Sequence, residues 1–200
     1  MMEEPLKPAV NDPLTEGEDL SWTELHTEHI IKDEWIDFRR SAYRYPDGRV
    51  FEPYYSYSRK NFVVVAATDE EGNYILVRQF RQGVRRVTTE FPAGGIEKQE
   101  QPYEAAIREL REETGYESDD WTFLASTPAN ATIADNYAYL FSAKNCRPTG
   151  TVKLDETEYL RVIRLSEEEF LKRVREGGFE QAMHLLAYML KKEKERECKD

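Results

Sequence analysis

Three glutamates, Glu109, Glu112 and Glu113, are spaced so that one helix would place them side by side. At about 100° per residue, Glu113 lies about 40° from Glu109 around the helix, and Glu112 lies about 60° away on the other side. Like charges this close destabilise an exposed helix, and Mg²⁺ or Mn²⁺ would reverse the effect because both ions prefer carboxylate oxygens. The spacing therefore indicates a divalent metal site, and a solvated acidic face is the alternative.

Local signals around the glutamates predict the helix itself. Pro102 suits its first turn, where a missing N–H costs little, and Gly115 suits its C-terminal end, after Thr114. The neighbouring face carries side chains that can be buried, namely Tyr103, Ala106, Ile107 and Leu110. One face of this helix is expected to pack while the adjacent face collects negative charge.

The glutamates belong to a longer pattern that runs from Gly94 to Tyr116. The stretch GGIEKQEQPYEAAIRELREETGY fits G-x5-E-x7-R-E-U-x-E-E-x-G-U, where U is a bulky apolar residue. It resembles the Nudix box, the signature of a family that hydrolyses nucleoside diphosphates linked to another group. Tyr116 is the one loose fit, because an aliphatic residue is commoner there. The resemblance implies an α/β/α sandwich with a mixed β-sheet and metal-dependent hydrolysis.

The same resemblance implies roles for individual residues of the box. Glu109 and Glu113 would be the principal metal ligands, with Glu112 close by. The main-chain carbonyl of Ala93 would be an additional ligand. Arg108 would orient the glutamates rather than touch the substrate, because it neighbours them and is always charged.

The residues ahead of the box narrow the resemblance to one branch of the family. VRQFRQG followed by EFPAGGIE is similar to ADP-ribose pyrophosphatases. On this resemblance Arg81 would contact the phosphates or terminal ribose, Glu90 would bind metal or hold the loop, and Trp35 would stack on the nucleobase. Glu100 would fix the loop before the helix. The alternatives are weak surface ion pairs for Arg81 and for Glu90, an exposed loop acid for Glu100, and a core or dimer-interface position for Trp35.

The general base and the oligomeric state are also implied by this branch. Its candidate base lies outside the box, on a loop before the last sheet strand, where this chain reads VKLDETEYLRV. Glu156 is the first choice there and Glu158 the second, with a merely solvated acid as the alternative. The branch forms homodimers in which N-terminal strands of one subunit help to build the other's site. A homodimer is therefore expected.

One segment departs from the ADP-ribose pattern. STPANATIADNYAYLF has Pro128-Ala129-Asn130 where the branch usually has a Pro-Gly segment, and it resembles relatives acting on other nucleoside diphosphate sugars. The expected activity is hydrolysis of the pyrophosphate bond of ADP-ribose or a related nucleoside diphosphate sugar. The alternatives are hydrolysis of nucleoside triphosphates or dinucleoside polyphosphates, and a non-catalytic domain that senses a nucleotide sugar.

Composition excludes other classes of protein and site. A net charge of −11 argues against nucleic acid as a partner. An acidic N-terminus and the absence of about 18 consecutive apolar residues argue against a membrane and favour a cytoplasmic protein. Cys146 and Cys198 suit neither a disulfide framework nor zinc. His26, His29 and His184 indicate no metal site.

The chain is expected to be of the α+β class in three parts. These are a flexible arm at 1–20, an N-terminal β segment for dimerisation at 21–58, and the catalytic domain with C-terminal helices at 59–200. Further strands are predicted at 61–68, 74–80, 87–91, 121–126, 136–143 and 159–165. Two more helices are predicted, one starting from a capping box at Ser166 and one over 179–190 that frays into the charged tail.

Overall fold

The computed structural model describes residues 19–150 and 159–197, which fall into two compact units. The first contains 19–60 and Pro128–Tyr137, and the second contains Asn61–Thr127 and the described residues from Ala138 onwards. Most of the arm predicted at 1–20, both candidate bases Glu156 and Glu158, and Cys198 lie outside the described residues.

The N-terminal unit is built on a three-stranded antiparallel sheet. Its strands are β1 (Thr23–Lys32), β2 (Asp37–Arg44) and β3 (Val50–Ser58), in the order β1-β2-β3. The chain turns between β2 and β3 at Gly48, which adopts a positive φ of 87° and whose N–H donates to the Tyr45 carbonyl at 3.0 Å. The segment predicted to be β structure at 21–58 thus contains three strands, while its role in dimerisation stays a prediction.

The segment Pro128–Tyr137 belongs to this unit rather than to the catalytic domain. The Tyr57 N–H donates to the Ile133 carbonyl at 2.8 Å, and the Ser58 hydroxyl donates to the Asp135 carboxylate at 2.5 Å. Such pairing between residues far apart in sequence leaves no local signal, which is why the sequence predicts this segment within residues 59–200 instead.

The second unit contains a mixed β-sheet. Its strands are β4 (Phe62–Asp69), β5 (Tyr74–Arg81), β6 (Arg86–Glu90), β7 (Ala93–Gly95), β8 (Tyr116–Glu117), β9 (Asp120–Pro128), β10 (Tyr137–Pro148) and β11 (Leu160–Leu165). The order is β11-β5-β4-β10-β8, while β6 pairs with β5, β7 with β4 and β9 with β10. Strands β4 and β10, at the centre of the sheet, run parallel. The pairs β10–β8, β11–β5, β4–β5, β4–β7 and β5–β6 run antiparallel.

Helices cover both faces of this sheet. Successive side chains of β4 point to opposite faces, and nearly all of them are buried, so both faces must be covered. They are α1 (Pro102–Thr114), α2 (Glu167–Arg175) and α3 (Ala182–Glu197). Val63 and Val65 pack in one apolar cluster with α1, whereas Val64 and Ala66 pack in another with α2 and α3. The predicted mixed sheet between helices is confirmed. Within the described ranges, no helix has the length and apolar character needed to span a membrane.

The helix ends follow their local signals. Pro102 is the first residue of α1, and Gly115 ends it in the left-handed region with φ of 70°, its N–H donating to the Arg111 carbonyl at 2.9 Å. Ser166 and Glu169 form the capping box of α2. These three predictions are confirmed because each depends on residues within one turn.

The prediction for α3 is wrong at both ends. The helix begins at Ala182 rather than Phe179, and it continues to Glu197 instead of fraying after Leu190. Lys191 is buried and its ammonium lies 2.9 Å from the Glu195 carboxylate, one turn further along. Ion pairs at this spacing extend a helix whose composition alone suggested a solvated tail.

Candidate active site

Strand β7 and helix α1 meet at Gly94, where no side chain larger than hydrogen fits. A Cβ atom at Gly94 would lie 2.1 to 2.3 Å from the three carboxylate atoms of Glu109. Real Cβ atoms do not approach other atoms so closely, so the buried Glu109 carboxylate occupies the space that the glycine leaves. Strand β7 itself was not predicted, because a glycine-rich segment carries no strand propensity.

Glu113 reaches the same strand one residue earlier. Its side chain is buried, and Oε2 accepts a hydrogen bond of 2.9 Å from the Ala93 N–H. Two carboxylates one helical turn apart therefore lie against consecutive residues of β7. Helix α1 sets the distance between the two glutamates, and strand β7 sets the positions of their carboxylate groups.

Arg108 ties the remaining acids of the helix face together. One guanidinium nitrogen donates to Glu109 at 2.7 Å and to Glu112 at 3.1 Å, while the others donate to both oxygens of Glu100 at 2.8 and 2.9 Å and to the Gly95 carbonyl at 2.9 Å. The hydrogen bond from Arg108 holds the pKa of Glu100 below its usual value. Arg108 is therefore hydrogen-bonded to Glu100, Glu109 and Glu112, while its orienting role stays a prediction.

The donor set suits a divalent ion, although the carboxylates are not gathered around a single point. No group of three His, Cys, Asp or Glu side chains in 19–150 and 159–197 is arranged to hold one ion. The reason is visible in the contacts above, since Arg108 draws Glu109 and Glu112 towards itself while Glu113 bonds to the Ala93 N–H. Carboxylate and carbonyl oxygens are nonetheless the ligands that Mg²⁺ and Mn²⁺ prefer.

Arg81 at the end of β5 and Glu90 at the end of β6 form a bidentate ion pair. The guanidinium donates to Glu90 at 2.9 and 2.5 Å, and the Thr88 hydroxyl also donates to that carboxylate. Burial alone would raise the pKa of Glu90, but the hydrogen bonds from Arg81 and Thr88 outweigh it and lower the pKa. Because Glu90 is fully buried, this is not the weak surface pair considered as an alternative.

His184 of α3 holds the next residue of the same segment. Its Nδ1 atom accepts a hydrogen bond of 3.1 Å from the Phe91 N–H. The imidazole is 3% exposed, and burial lowers its pKa from 6.5 to about 4. No local signal in the sequence marks His184 as buried, because its hydrogen-bond partner Phe91 lies 93 residues earlier in the chain.

This buried histidine predicts a pH dependence of stability. Between pH 6.5 and about 4, His184 is protonated in the unfolded chain but stays neutral in the folded protein. Protonation therefore favours the unfolded chain, and the free energy of unfolding falls by about 3 kcal/mol as the pH drops through this window. Urea unfolding of the wild type and a His184→Asn variant at pH 7 and pH 4.5 measures the effect. Equal losses in the two proteins would contradict the assignment.

Gly94→Ala is expected to abolish most metal-dependent turnover without unfolding the protein. The new methyl group must displace the Glu109 carboxylate, which is the flexible end of a side chain, so the fold is retained. Turnover and the thermal midpoint are the measurements. Gly83→Ala is the matched control because a Cβ there meets nothing within 4 Å. Equal activity of the two variants would show that the Gly94–Glu109 approach does not matter.

The proposed stacking residue Trp35 lies in the N-terminal unit, in the turn before β2. Trp35 is 64% exposed, which excludes the core alternative, and its main-chain N–H donates to the Asp33 carboxylate at 2.8 Å. Stacking and a dimer interface remain open for it.

A pocket of about 420 Å³ also lies within the N-terminal unit. Trp35 does not line it. Its walls are Trp22, Arg39, Tyr43, Tyr54, Ser56 and residues 131–135. Arg39 pairs there with Asp135 at 3.1 Å.

The fold and the box together define a class of hydrolase. A mixed sheet between helices carries the box glutamates on α1 against β7, and the family model described as NUDIX domain matches residues 58–185. The chain therefore belongs to the Nudix family, and it is a Nudix hydrolase.

Relatives of the chain include two proteins named as pyrophosphatases of ADP-linked compounds. The chain is 33% identical over 148 residues to an ADP-ribose pyrophosphatase of Bacillus subtilis (strain 168), covering 74% of this chain and 80% of that protein. It is 30% identical over 171 residues to an ADP-sugar pyrophosphatase of Mus musculus, covering 77% and 78%. A crystal structure of an ADP compounds hydrolase superposes with a TM-score of 0.75 at 22% identity, covering 88% and 95%, which supports the fold alone.

Proposed function

We propose that the protein hydrolyses the pyrophosphate bond of ADP-ribose or a related nucleoside diphosphate sugar, giving a nucleoside monophosphate and a sugar phosphate. The observation that carries the proposal is the placement of Glu109 and Glu113 against consecutive residues of β7. The relatives that are named ADP-ribose and ADP-sugar pyrophosphatases support this substrate class.

A divalent ion, Mg²⁺ or Mn²⁺, would be held by Glu109, Glu112, Glu113 and the main-chain carbonyl of Ala93. Such an ion neutralises phosphate charge and lowers the pKa of a bound water. Arg108 orients Glu109 and Glu112 and offsets the repulsion among the acids. Like charges on one helix face can therefore persist before any ion binds.

Arg81 is proposed to contact the phosphates or the terminal ribose. Its side chain is 38% exposed although its pair Glu90 is fully buried, so the charge is anchored on one side and accessible on the other. A guanidinium fixed in this way is well suited to a phosphate oxygen.

Trp35 is proposed to stack on the nucleobase, and Glu156, or failing it Glu158, to accept the proton of the attacking water. An exposed indole offers a face to any base, with a gain of about 1 kcal/mol. Because stacking is tolerant of base identity, it is consistent with ADP-ribose and with other nucleoside diphosphate sugars.

We expect the protein to be a homodimer that uses its N-terminal unit. Strand β1 lies at a sheet edge, and nine of its ten residues are exposed, Leu25, Ile30 and Ile31 among them. An exposed apolar edge strand is a surface that proteins normally cover. Light scattering should give about twice the chain mass of 23.5 kDa.

A charge on this strand is expected to dissociate the dimer. Ile31→Glu places the charge at a residue that is 51% exposed, and Met189→Glu on α3, 64% exposed, is the matched control. A wild type that is monomeric at assay concentrations, or a dimer unaffected by Ile31→Glu, would argue against this use of β1.

The substrate class is tested with a panel of nucleotides in the presence of Mg²⁺. The protein is incubated with ADP-ribose, ADP-, GDP- and UDP-sugars, nucleoside triphosphates and dinucleoside polyphosphates, and the phosphate products are identified. Release of a nucleoside monophosphate and a sugar phosphate supports the proposal. Preferred cleavage of triphosphates or dinucleoside polyphosphates would favour the second hydrolase activity, and binding without turnover of any compound would favour a sensor.

A further inference from the structure

We infer that His184 is a positioning residue for the proposed metal site, which it serves by fixing the main chain of β7 from the opposite face of the sheet. The inference rests on the proposed function, because Ala93 matters only if its carbonyl binds metal. It adds to that function a link between the C-terminal helix α3 and the ligands on β7 and α1.

The link begins with one buried hydrogen bond. Nδ1 of His184 accepts from the Phe91 N–H at 3.1 Å, so the ring proton is on Nε2 and the imidazole is neutral. Its ring lies parallel to that of Phe91, at 9° and 6.4 Å between centroids, and edge-on to Phe179 at 6.3 Å. These contacts allow little movement of the acceptor.

The segment from Glu90 to Ala93 is held residue by residue. Arg81 and Thr88 donate hydrogen bonds to the Glu90 carboxylate. His184 accepts from the Phe91 N–H, and Glu113 accepts from the Ala93 N–H. Between them, the Pro92 carbonyl accepts from the Val65 N–H at 2.9 Å. The other contacts come from the sheet or from α1. His184 supplies the contact from α3.

Packing alone does not explain an imidazole at this position. A phenyl ring would keep an aromatic contact with Phe91 and Phe179, but it could not accept a hydrogen bond. Loss of the acceptor would leave a buried Phe91 N–H unpaired, and the main chain would shift to find another partner. Such a shift arises two residues before the Ala93 carbonyl, and small displacements of a ligand reduce catalysis strongly.

Three variants separate positioning from packing. His184→Phe removes the acceptor, His184→Asn keeps one at the position of Nδ1, and Ala187→Gly weakens the same helix at a buried residue that donates and accepts no side-chain hydrogen bond. Three quantities are measured for each variant and for the wild type. They are the turnover of ADP-ribose with Mg²⁺, the affinity for Mn²⁺ by electron paramagnetic resonance without substrate, and the rate of amide exchange at Phe91 and Ala93.

For His184→Phe we expect kcat and Mn²⁺ affinity each to fall about tenfold, the range typical of groups that support a metal ligand. KM for ADP-ribose should change by less than about twofold, because the contact does not bind substrate. The Phe91 amide should exchange faster. His184→Asn should restore most of the affinity, and Ala187→Gly should lower only the thermal midpoint.

Unchanged kcat and Mn²⁺ affinity in folded His184→Phe would overturn the inference, as would equal losses in Ala187→Gly. If the wild type hydrolyses none of the nucleotides in the panel, the proposed function is wrong instead. Metal affinity and amide exchange then still test the link from His184 to β7, since neither measurement requires turnover.

Discussion

Glu113→Gln is expected to reduce kcat by more than about 100-fold, beyond the range typical of residues that only support a metal ligand. The amide retains an oxygen that can accept the 2.9 Å hydrogen bond from the Ala93 N–H, so the contact between α1 and β7 survives. What is lost is the negative charge that a divalent ion requires. The thermal midpoint should therefore stay close to that of the wild type while Mn²⁺ binding weakens.

Glu117→Gln is the control for this substitution. Glu117 lies just beyond the same helix, in β8, and is exposed, so its neutralisation alters the net charge equally without touching β7. Near-normal turnover in Glu113→Gln would remove Glu113 from the set of ligands. Collapse of the fold in the same variant would make its role structural.

Glu156→Gln is expected to lower kcat by about 100-fold or more, as removal of a general base does, with Mn²⁺ binding retained. The choice of Glu156 comes from its place in the stretch before β11 and from the resemblance to ADP-ribose pyrophosphatases. The acidic limb of the pH–rate profile should disappear in this variant, because that limb reports the base.

Glu158→Gln and Glu168→Gln complete the test. Glu168 is an exposed acid in the first turn of α2 and controls for loss of one charge. If Glu156→Gln keeps wild-type turnover and Glu158→Gln does not, the base is Glu158. If both keep it, the base lies elsewhere.

Features that depend on local chemistry could be predicted from the sequence. Helix α1 has its ends where Pro102 and Gly115 place them, and α2 starts at the capping box of Ser166. The box spacing also indicated that Glu109 and Glu113 share a face, and both are found against β7.

Features that depend on distant partners could not be predicted. Gly94 is identifiable as a box residue, but the need for a glycine there arises only when β7 and α1 pack together, because a Cβ at this position would lie 2.1 Å from the Glu109 carboxylate. The burial of His184 and the membership of Pro128–Tyr137 in the N-terminal unit likewise arise from long-range packing. The Gly94 and His184 contacts bear on how the site is held rather than on which residues compose it.

The central claim is that hydrolysis depends on a divalent ion at the glutamates of α1. Its most direct test is turnover of ADP-ribose by the wild type after chelation and during a titration with Mg²⁺, with far-ultraviolet circular dichroism as a check on the fold. The account predicts no turnover without metal, an unchanged fold, and AMP with ribose 5-phosphate appearing as Mg²⁺ is restored. Turnover that survives chelation, or none at any Mg²⁺ concentration, would contradict it.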